Sequence, residues 1–194
     1  MADKLIPTPS QTVGPFFHLG MARPEWGDLT ADHPAGERIA IEGRVSDGDG
    51  MAVPDAVIEL WQANAAGRYN HPDDRQTDKP LDPNFRGYGR AATDTDGKFR
   101  FVTIRPGAVP GRGNALQAPH INIAVFGRGL LKQLHTRIYF ADEPQNGNDP
   151  LLSAIDDPAA RRTLLATRIE GADPRIYRFD IVLQGESETV FLDL

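Results

Sequence analysis

The sequence predicts an all-β fold, namely an antiparallel β-sandwich with an N-terminal arm and a short helical insert. After residue 35 the apolar residues recur mostly at every second position, in short runs broken by turn residues, which is typical of strands that bury one face. The segment Asp149–Thr167 has a different period, and Pro158 directly after Asp157 suits the first turn of a helix. We therefore expect an arm over residues 1–35 and one β-sandwich domain over residues 36–194.

Composition and charge exclude several classes of protein. The 194 residues are 40% hydrophobic and 25% charged, as in folded globular chains. The 21 basic and 27 acidic residues give a net charge of −6, and nucleic-acid binding needs a basic field instead. The absence of cysteine excludes disulfides, thiolate catalysis and cysteine-ligated metals. Because no apolar leader or long apolar run occurs, we expect a cytoplasmic protein that does not associate with membranes.

The first half of the domain should contain two hairpins. Arg38–Asp47 alternates and ends at an Asp-Gly-Asp-Gly turn, which needs the positive φ that glycine adopts. Tyr88–Thr93 and Lys98–Ile104 flank Asp94–Gly97, a second turn of the same kind. Between the hairpins, Val57–Ala63 predicts a strand that leads into a long polar loop, where functional groups tend to lie.

The second half should complete the sheet. Arg105–Gln117 contains three glycines and two prolines and predicts a loop. His120–Phe126 and Gln133–Phe140 are rich in β-branched and aromatic residues and should pair with each other. After the helical insert, Tyr177–Gln184 and Thr189–Leu192 should form the last strands.

Taken one at a time, the candidate functional side chains have ordinary structural explanations. His120 shares a strand face with position 122, which is Asn122, so it is a lone histidine that one hydrogen bond would hold in the core. Tyr69 would be an aromatic loop residue whose ring packs against the domain. Arg128, which lies between two glycines, would be a solvated turn residue. Gly14-Pro15-Phe16-Phe17 would anchor the arm to its own domain or to a partner chain.

Eight short motifs, in order from about residue 8 to the C-terminus, give a sharper expectation. With the number of each first residue, they are TPSQTVGPFF (8), ELWQA (59), GRYNH (67), LDPNF (81), GR with TDTDG (89 and 93), IRPG (104), APHI (118) and YRFDI (177). A chance match of all eight in order is improbable. Together they resemble the intradiol ring-cleavage dioxygenases.

The resemblance implies a set of metal-ligand positions, of which two have lost their donors. In that family two tyrosinates and two histidines hold a non-haem ferric ion, because anionic phenolate oxygen stabilises Fe(III). Tyr69 and His120 match the first tyrosine and the first histidine. Val109 stands where the second tyrosine is expected, and Asn122 replaces the second histidine. The resemblance therefore implies four vestigial positions and no iron bound by this chain alone.

The lost ligands also imply a partner. One enzyme of the family is built from two homologous subunits, of which the β subunit keeps all four ligands, and the present pattern resembles the other subunit. The resemblance implies Fe(III) bound by a partner β subunit, against which the arm over residues 1–35 packs. The substrate implied is 3,4-dihydroxybenzoate (protocatechuate), which O2 cleaves between its hydroxyl-bearing carbons to give 3-carboxy-cis,cis-muconate.

Within the cleft that the two subunits share, four residues of this chain match substrate-binding positions. Thr12, Gly14 and Pro15 belong to the arm, and a Gly-Pro segment has the small profile and fixed φ that close approach to an aromatic ring requires. Arg128 follows the histidine-containing strand and would attract the anionic substrate.

Two other classes of function remain open. A single-subunit catechol or hydroxyquinol dioxygenase would need all four ligands in one chain and usually a longer helical N-terminal region. A non-enzymatic β-sandwich binding module that descends from the same fold would need neither the four ligands nor the longer N-terminal region. Co-purification with a ligand-complete partner and a burgundy iron chromophore would support the two-subunit hypothesis, whereas a colourless lone protein would favour the module.

Overall fold

Strand is the dominant secondary structure in the computed structural model, which describes residues 6–111, 113 and 115–193. Residues 1–5 of the predicted arm and residue 194 of the predicted domain lie outside the described residues. The strands are β1 (Arg38–Ser46), β2 (Val57–Trp61), β3 (Tyr88–Ala92), β4 (Lys98–Ile104), β5 (Val109–Pro110), β6 (Leu116–Gln117), β7 (His120–Phe126), β8 (Leu134–Phe140), β9 (Leu165–Ile169), β10 (Arg175–Arg178) and β11 (Ile181–Val182). The helices are α1 (Phe17–Met21), α2 (Pro150–Ala154) and α3 (Pro158–Arg162), with 3-10 helices at Pro24–Gly27 and Pro144–Asn148.

Two groups of strands enclose one apolar core. In the first group β1 pairs with β4, β10 and β11, and in the second β3, β2, β7 and β8 lie side by side, while β9 pairs with both β8 and β10. Inward side chains of both groups, such as Ile41, Phe101, Leu60, Ile123 and Phe140, form a single buried cluster. Each such side chain contributes roughly 1.5–3 kcal/mol through burial. The predicted β-sandwich is confirmed, and most of its pairings are antiparallel, although β1 pairs in parallel with β10 and β11, and β8 with β9.

The prediction of a hairpin around Asp94–Gly97 was wrong. The turn itself forms, because the Gly97 amide donates to the Asp94 carbonyl over 2.9 Å and Gly97 has φ +75°. Yet β3 pairs with β2, whereas β4 pairs along its whole length with β1. A turn motif fixes the reversal of the chain but not the partner of each strand, and here the turn carries the chain from one layer to the other.

Other boundaries differ in smaller ways. The turn after β1 closes only an isolated bridge between Ser46 and Ala52, since the long partner of β1 is β4. The predicted loop Arg105–Gln117 contains the short β5–β6 pair. The predicted strand Thr189–Leu192 is reduced to a bridge between His135 and Leu192, whereas the predicted pairing of β7 with β8 is confirmed.

The helical insert starts as predicted and ends early. The Asp157 carboxylate accepts a hydrogen bond from the Ala159 amide over 2.8 Å, with Pro158 as the first residue of α3. Asp149 caps α2 in the same way. The chain then enters β9 at Leu165, within the segment where helix was expected, because residues of β9 pair with β8 and β10. Among the described residues, no helix is long and apolar enough to cross a membrane.

The arm contacts the sandwich at several places, among them the side chains of Leu29 and Phe17. The Leu29 amide donates to the Val102 carbonyl over 2.8 Å, and the Leu29 side chain packs against the core. Nearer its start, the ring of Phe17 lies 5.6 Å from that of Phe126. Other apolar arm residues stay in solvent, since Ile6 is 88% exposed and Phe16 is 76% exposed. The first part of the arm therefore presents apolar surface that this chain does not cover.

Candidate active-site elements

The candidate residues fall into two groups at opposite ends of the β2–β7 strand pair. We call Tyr69, Val109, His120 and Asn122 the vestigial cluster, and Thr12, Gly14, Pro15 and Arg128 the arm cluster. In the register of the two strands, Trp61 lies opposite Asn122 and Val57 lies opposite Phe126. At about 3.3 Å per residue, Phe126 lies about 13 Å along the strand from Asn122, and Arg128 is two residues further. The two clusters therefore do not form one site.

Tyr69 lies in a tight turn whose geometry requires glycine. At Gly67 φ is +80°, and a Cβ there would lie 2.0 Å from the Ala108 carbonyl oxygen. After this turn, the Tyr69 ring stacks on Trp61 with centroids 5.6 Å apart. Burial raises the pKa of the Tyr69 hydroxyl above its ordinary value. The side chain is therefore a neutral, packed phenol at neutral pH, and both rings line an open cavity of about 660 Å³ together with Val109.

His120 has the arrangement of a structural histidine. It is only 3% exposed, and its Nδ1 lies 2.7 Å from the Ala118 carbonyl oxygen. Burial lowers its pKa to about 4, and the positive charge of Arg137 acts in the same direction. At neutral pH the ring is uncharged, so Nδ1 must carry the proton that it donates to this carbonyl.

Both polar atoms of the Asn122 side-chain amide form hydrogen bonds. Its Nδ2 donates to the Tyr69 hydroxyl over 3.2 Å, and its Oδ1 accepts from Nε of Arg137 over 3.0 Å. Arg137 also donates to Oε1 of Gln117 over 2.6 Å. Sequence reasoning missed Arg137, because only the β7–β8 register reveals that it lies directly opposite Asn122.

The vestigial cluster does not fit a ferric ion. Val109 offers no donor atom, and the amide of Asn122 is a weak ligand that already has partners. The guanidinium of Arg137 adds a fixed positive charge next to the cluster. In the described ranges, moreover, no three His, Cys, Asp or Glu side chains are grouped so that they could hold a metal ion. The chemistry of this donor set therefore offers no metal-dependent step.

The arm cluster is assembled at the other end of β7. The Thr12 hydroxyl oxygen accepts a hydrogen bond from the Gly129 amide over 2.7 Å, which ties the arm to the turn that carries Arg128. The Phe17–Phe126 contact fixes the arm a few residues later, so the exposed Gly14 and Pro15 lie between two points of attachment.

Arg128 forms an ion pair, and most of its side chain is nevertheless exposed to solvent. Its Nε lies 3.2 Å from Oδ2 of Asp55, yet its side chain remains 58% exposed. It is therefore more than the freely solvated turn residue that its glycine neighbours suggest, since one edge of its guanidinium is paired.

Comparisons with known proteins agree with the motifs. The family model described as "Dioxygenase" matches residues 14–185. The protocatechuate 3,4-dioxygenase alpha chain of Pseudomonas putida is 43% identical, with 100% of each chain aligned. The beta chain of the enzyme of the same name from Burkholderia cepacia is 44% identical over 93% of this chain and 77% of its own length.

A solved structure adds the fold. The dioxygenase domain of a dioxygenase and carbohydrate-binding fusion from Streptomyces sp. SirexAA-E superposes with a TM-score of 0.60 at 27% identity, over 93% of this chain and 99% of that domain. The family match spans most of the chain, and the two relatives named above exceed 40% identity. The resemblance inferred from the eight motifs is thereby confirmed, and the chain belongs to the intradiol ring-cleavage dioxygenase family.

Proposed function

We propose that this chain is the α-type subunit of a cytoplasmic protocatechuate 3,4-dioxygenase. A homologous β subunit carries Fe(III), and the two chains together cleave 3,4-dihydroxybenzoate with O2 to 3-carboxy-cis,cis-muconate. The share of this chain is to bind and orient the substrate and to close the cleft. The full-length likeness to relatives named as alpha chains supports this assignment.

The observation that carries the proposal is the hydrogen bond between Thr12 and Gly129. It joins the arm to the turn that carries Arg128, which supports one shared surface for the four residues of the arm cluster. That surface lies at the far end of β7 from the metal-ligand positions of this chain. A ligand held there is therefore positioned for a reactive centre that another chain supplies.

The exposed part of the arm supports an approach by a partner. A Cβ added at Gly14 would meet nothing within 4 Å among the described residues, so their packing does not require glycine there. A glycine followed by a proline presents little bulk and a fixed φ, which suits close contact with a substrate ring or with a second chain. Apolar side chains such as Phe16 would then become buried on assembly.

Arg128 supplies the charge that the substrate needs. The chain as a whole carries a net charge of −6, so a carboxylate approaching it is attracted only by local positive groups. A guanidinium can bind a planar carboxylate through two parallel hydrogen bonds. Because such a contact is present in both ground and transition states, it lowers KM without raising kcat.

The test is the steady-state kinetics of Arg128→Ala in the complex with the β partner, measured side by side with protocatechuate and with catechol, which lacks the carboxylate. We expect KM for protocatechuate to rise about tenfold, for roughly 1.4 kcal/mol lost, with little change in kcat. KM for catechol should hardly change. Arg162→Ala, which removes an exposed arginine of α3, is the matched control and should behave as wild type with both substrates.

Two other results would contradict the proposed role. Unchanged kinetics of Arg128→Ala with both substrates would show that Arg128 is an ordinary surface residue. An equal loss with both substrates would indicate damage to assembly instead of loss of carboxylate recognition. A colourless protein that purifies alone and gains no activity with any β partner would favour the non-enzymatic binding module.

A further inference from the structure

We propose that Asp55 is a positioning residue that holds Arg128 in the orientation that recognises an aromatic carboxylate. This inference rests on the proposed function of the arm cluster and deepens it. It assigns part of the substrate specificity to a buried carboxylate that never touches the substrate.

The strand register brings the two side chains together. Asp55 lies two residues before β2, and Arg128 lies two residues after β7. Because Val57 pairs with Phe126 in the antiparallel register, the two flanking positions fall opposite each other. The observed separation of 3.2 Å between Asp55 Oδ2 and Arg128 Nε follows from this placement.

Asp55 depends on Arg128 for its charge balance. It is only 8% exposed, and its Oδ1 is buried without a hydrogen-bond partner in the described part of the chain. Among those same residues, Arg128 is the one cationic side chain within 4.0 Å of the carboxylate. A buried carboxylate is costly unless it is paired, so the pair stabilises one placement of the arginine.

The pairing leaves the useful edge of the guanidinium open. Arginine has five N–H donors in a rigid plane. Asp55 faces Nε, and the side chain of Arg128 is still 58% exposed, so the Nη1 and Nη2 groups remain available for a second planar carboxylate. A flexible arginine would lose rotamer entropy on binding. An arginine already held by Asp55 loses less of it, which favours the carboxylate of the substrate.

The test compares Asp55→Asn, Arg128→Ala and the double variant in the complex with the β partner. We expect D55N to raise KM for protocatechuate by roughly fivefold, which corresponds to about 1 kcal/mol, while kcat and KM for catechol stay unchanged. Because Asp55 acts through Arg128, the double variant should match R128A alone. Asp156→Asn, which neutralises an exposed carboxylate, is the matched control for the change in net charge and should behave as wild type.

Each alternative outcome is decisive. If R128A raises KM for protocatechuate but D55N does not, the positioning role is wrong and the proposed function stands. If R128A has no effect, both are wrong. An equal loss by D55N with both substrates would make Asp55 purely structural.

A second variant, Arg128→Lys, covers the case in which D55N fails to assemble. Lysine can pair with Asp55 through its single ammonium group but has no second edge for the substrate. We expect it to assemble normally and to show a KM for protocatechuate as high as that of R128A. A wild-type KM in R128K would overturn the inference.

Discussion

The side-chain amide of Asn122 donates a hydrogen bond to the hydroxyl of Tyr69 over 3.2 Å. Two positions that the motifs match to metal ligands of the family are thus joined by a hydrogen bond. The side-chain oxygen of Asn122 accepts a hydrogen bond from Nε of Arg137 over 3.0 Å, which places a fixed positive charge beside Tyr69 and Asn122. Hydrogen bonds therefore join Tyr69, Asn122 and Arg137, whereas His120 pairs separately with the Ala118 carbonyl.

Buried His120 should make the protein sensitive to acid. The pKa of His120 in the folded chain is about 4, below the ordinary value of 6.5. Between these values the unfolded chain binds a proton that the folded chain excludes, so the free energy of unfolding falls as pH drops through 6.5 toward 4. We expect His120 to account for a loss of roughly 2–3 kcal/mol between pH 7 and pH 4.5.

Urea unfolding of wild type and His120→Gln at the two pH values measures this loss. The carboxylates titrate alike in wild type and H120Q. The contribution of His120 is therefore the difference between the two proteins in the pH dependence of the free energy of unfolding. His71→Gln, which alters an exposed histidine, controls for the removal of an imidazole. Identical pH dependences for wild type and H120Q would show that His120 does not have the depressed pKa.

Two helix caps of the same chemistry should differ in energy because they differ in burial. Asp149 is fully buried, caps α2 through the amides of Leu151 and Leu152, and accepts further hydrogen bonds from Ala118 and Tyr139. Replacement by alanine leaves those donors unpaired, at about 1–3 kcal/mol for each that stays buried. We expect D149A to lower the free energy of unfolding by about 3–5 kcal/mol.

The exposed cap of α3 is the matched comparison. Asp157 receives one hydrogen bond, from the Ala159 amide over 2.8 Å. Asp157→Ala should therefore cost only about 1 kcal/mol. Equal losses for D149A and D157A in chemical denaturation would contradict the role assigned to the buried network.

The arm should matter for assembly more than for folding. Removing residues 1–17 deletes exposed apolar residues such as Phe16 and the Thr12 contact, and each large apolar side chain buried at an interface contributes roughly 1.5–3 kcal/mol. We expect sedimentation analysis to show association with the β partner weakened by at least about tenfold, with a matching loss of activity. The melting temperature of the isolated chain should change by no more than a few degrees, because none of residues 6–17, the described part of the deleted stretch, belongs to the core cluster. A fully assembled and active truncated complex would refute this role.

Local patterns were enough to predict much of the fold. Period-two runs located most of the strands, and the Asp157-Pro158 pair located α3, because strand burial and helix capping depend on neighbouring residues. The ordered motifs placed Tyr69 and His120 within a family. The family resemblance that they carry drew attention to Arg128, which follows the histidine-containing strand β7.

The pairing of strands that are distant in the sequence could not be predicted. The turn at Asp94–Gly97 forms as expected, but the partner of β4 is set by the packing of two layers and not by the turn. Asp55 and Arg137 escaped notice for the same reason. Each acquires its importance from the residue opposite it, and the register that decides this is not visible in one strand alone.

Iron content is the most direct test of the central claim that this chain lends a substrate-binding surface to a metal centre on another chain. The chain is refolded alone with Fe(III), and the complex with the β partner is purified in parallel, with metal analysis and visible spectra of both. Because Val109 and Asn122 leave too few anionic donors for Fe(III), we expect almost no iron in the isolated chain. The complex should hold about one iron for each pair of chains, with a tyrosinate charge-transfer band. About one iron per isolated chain, with the same band, would contradict the account.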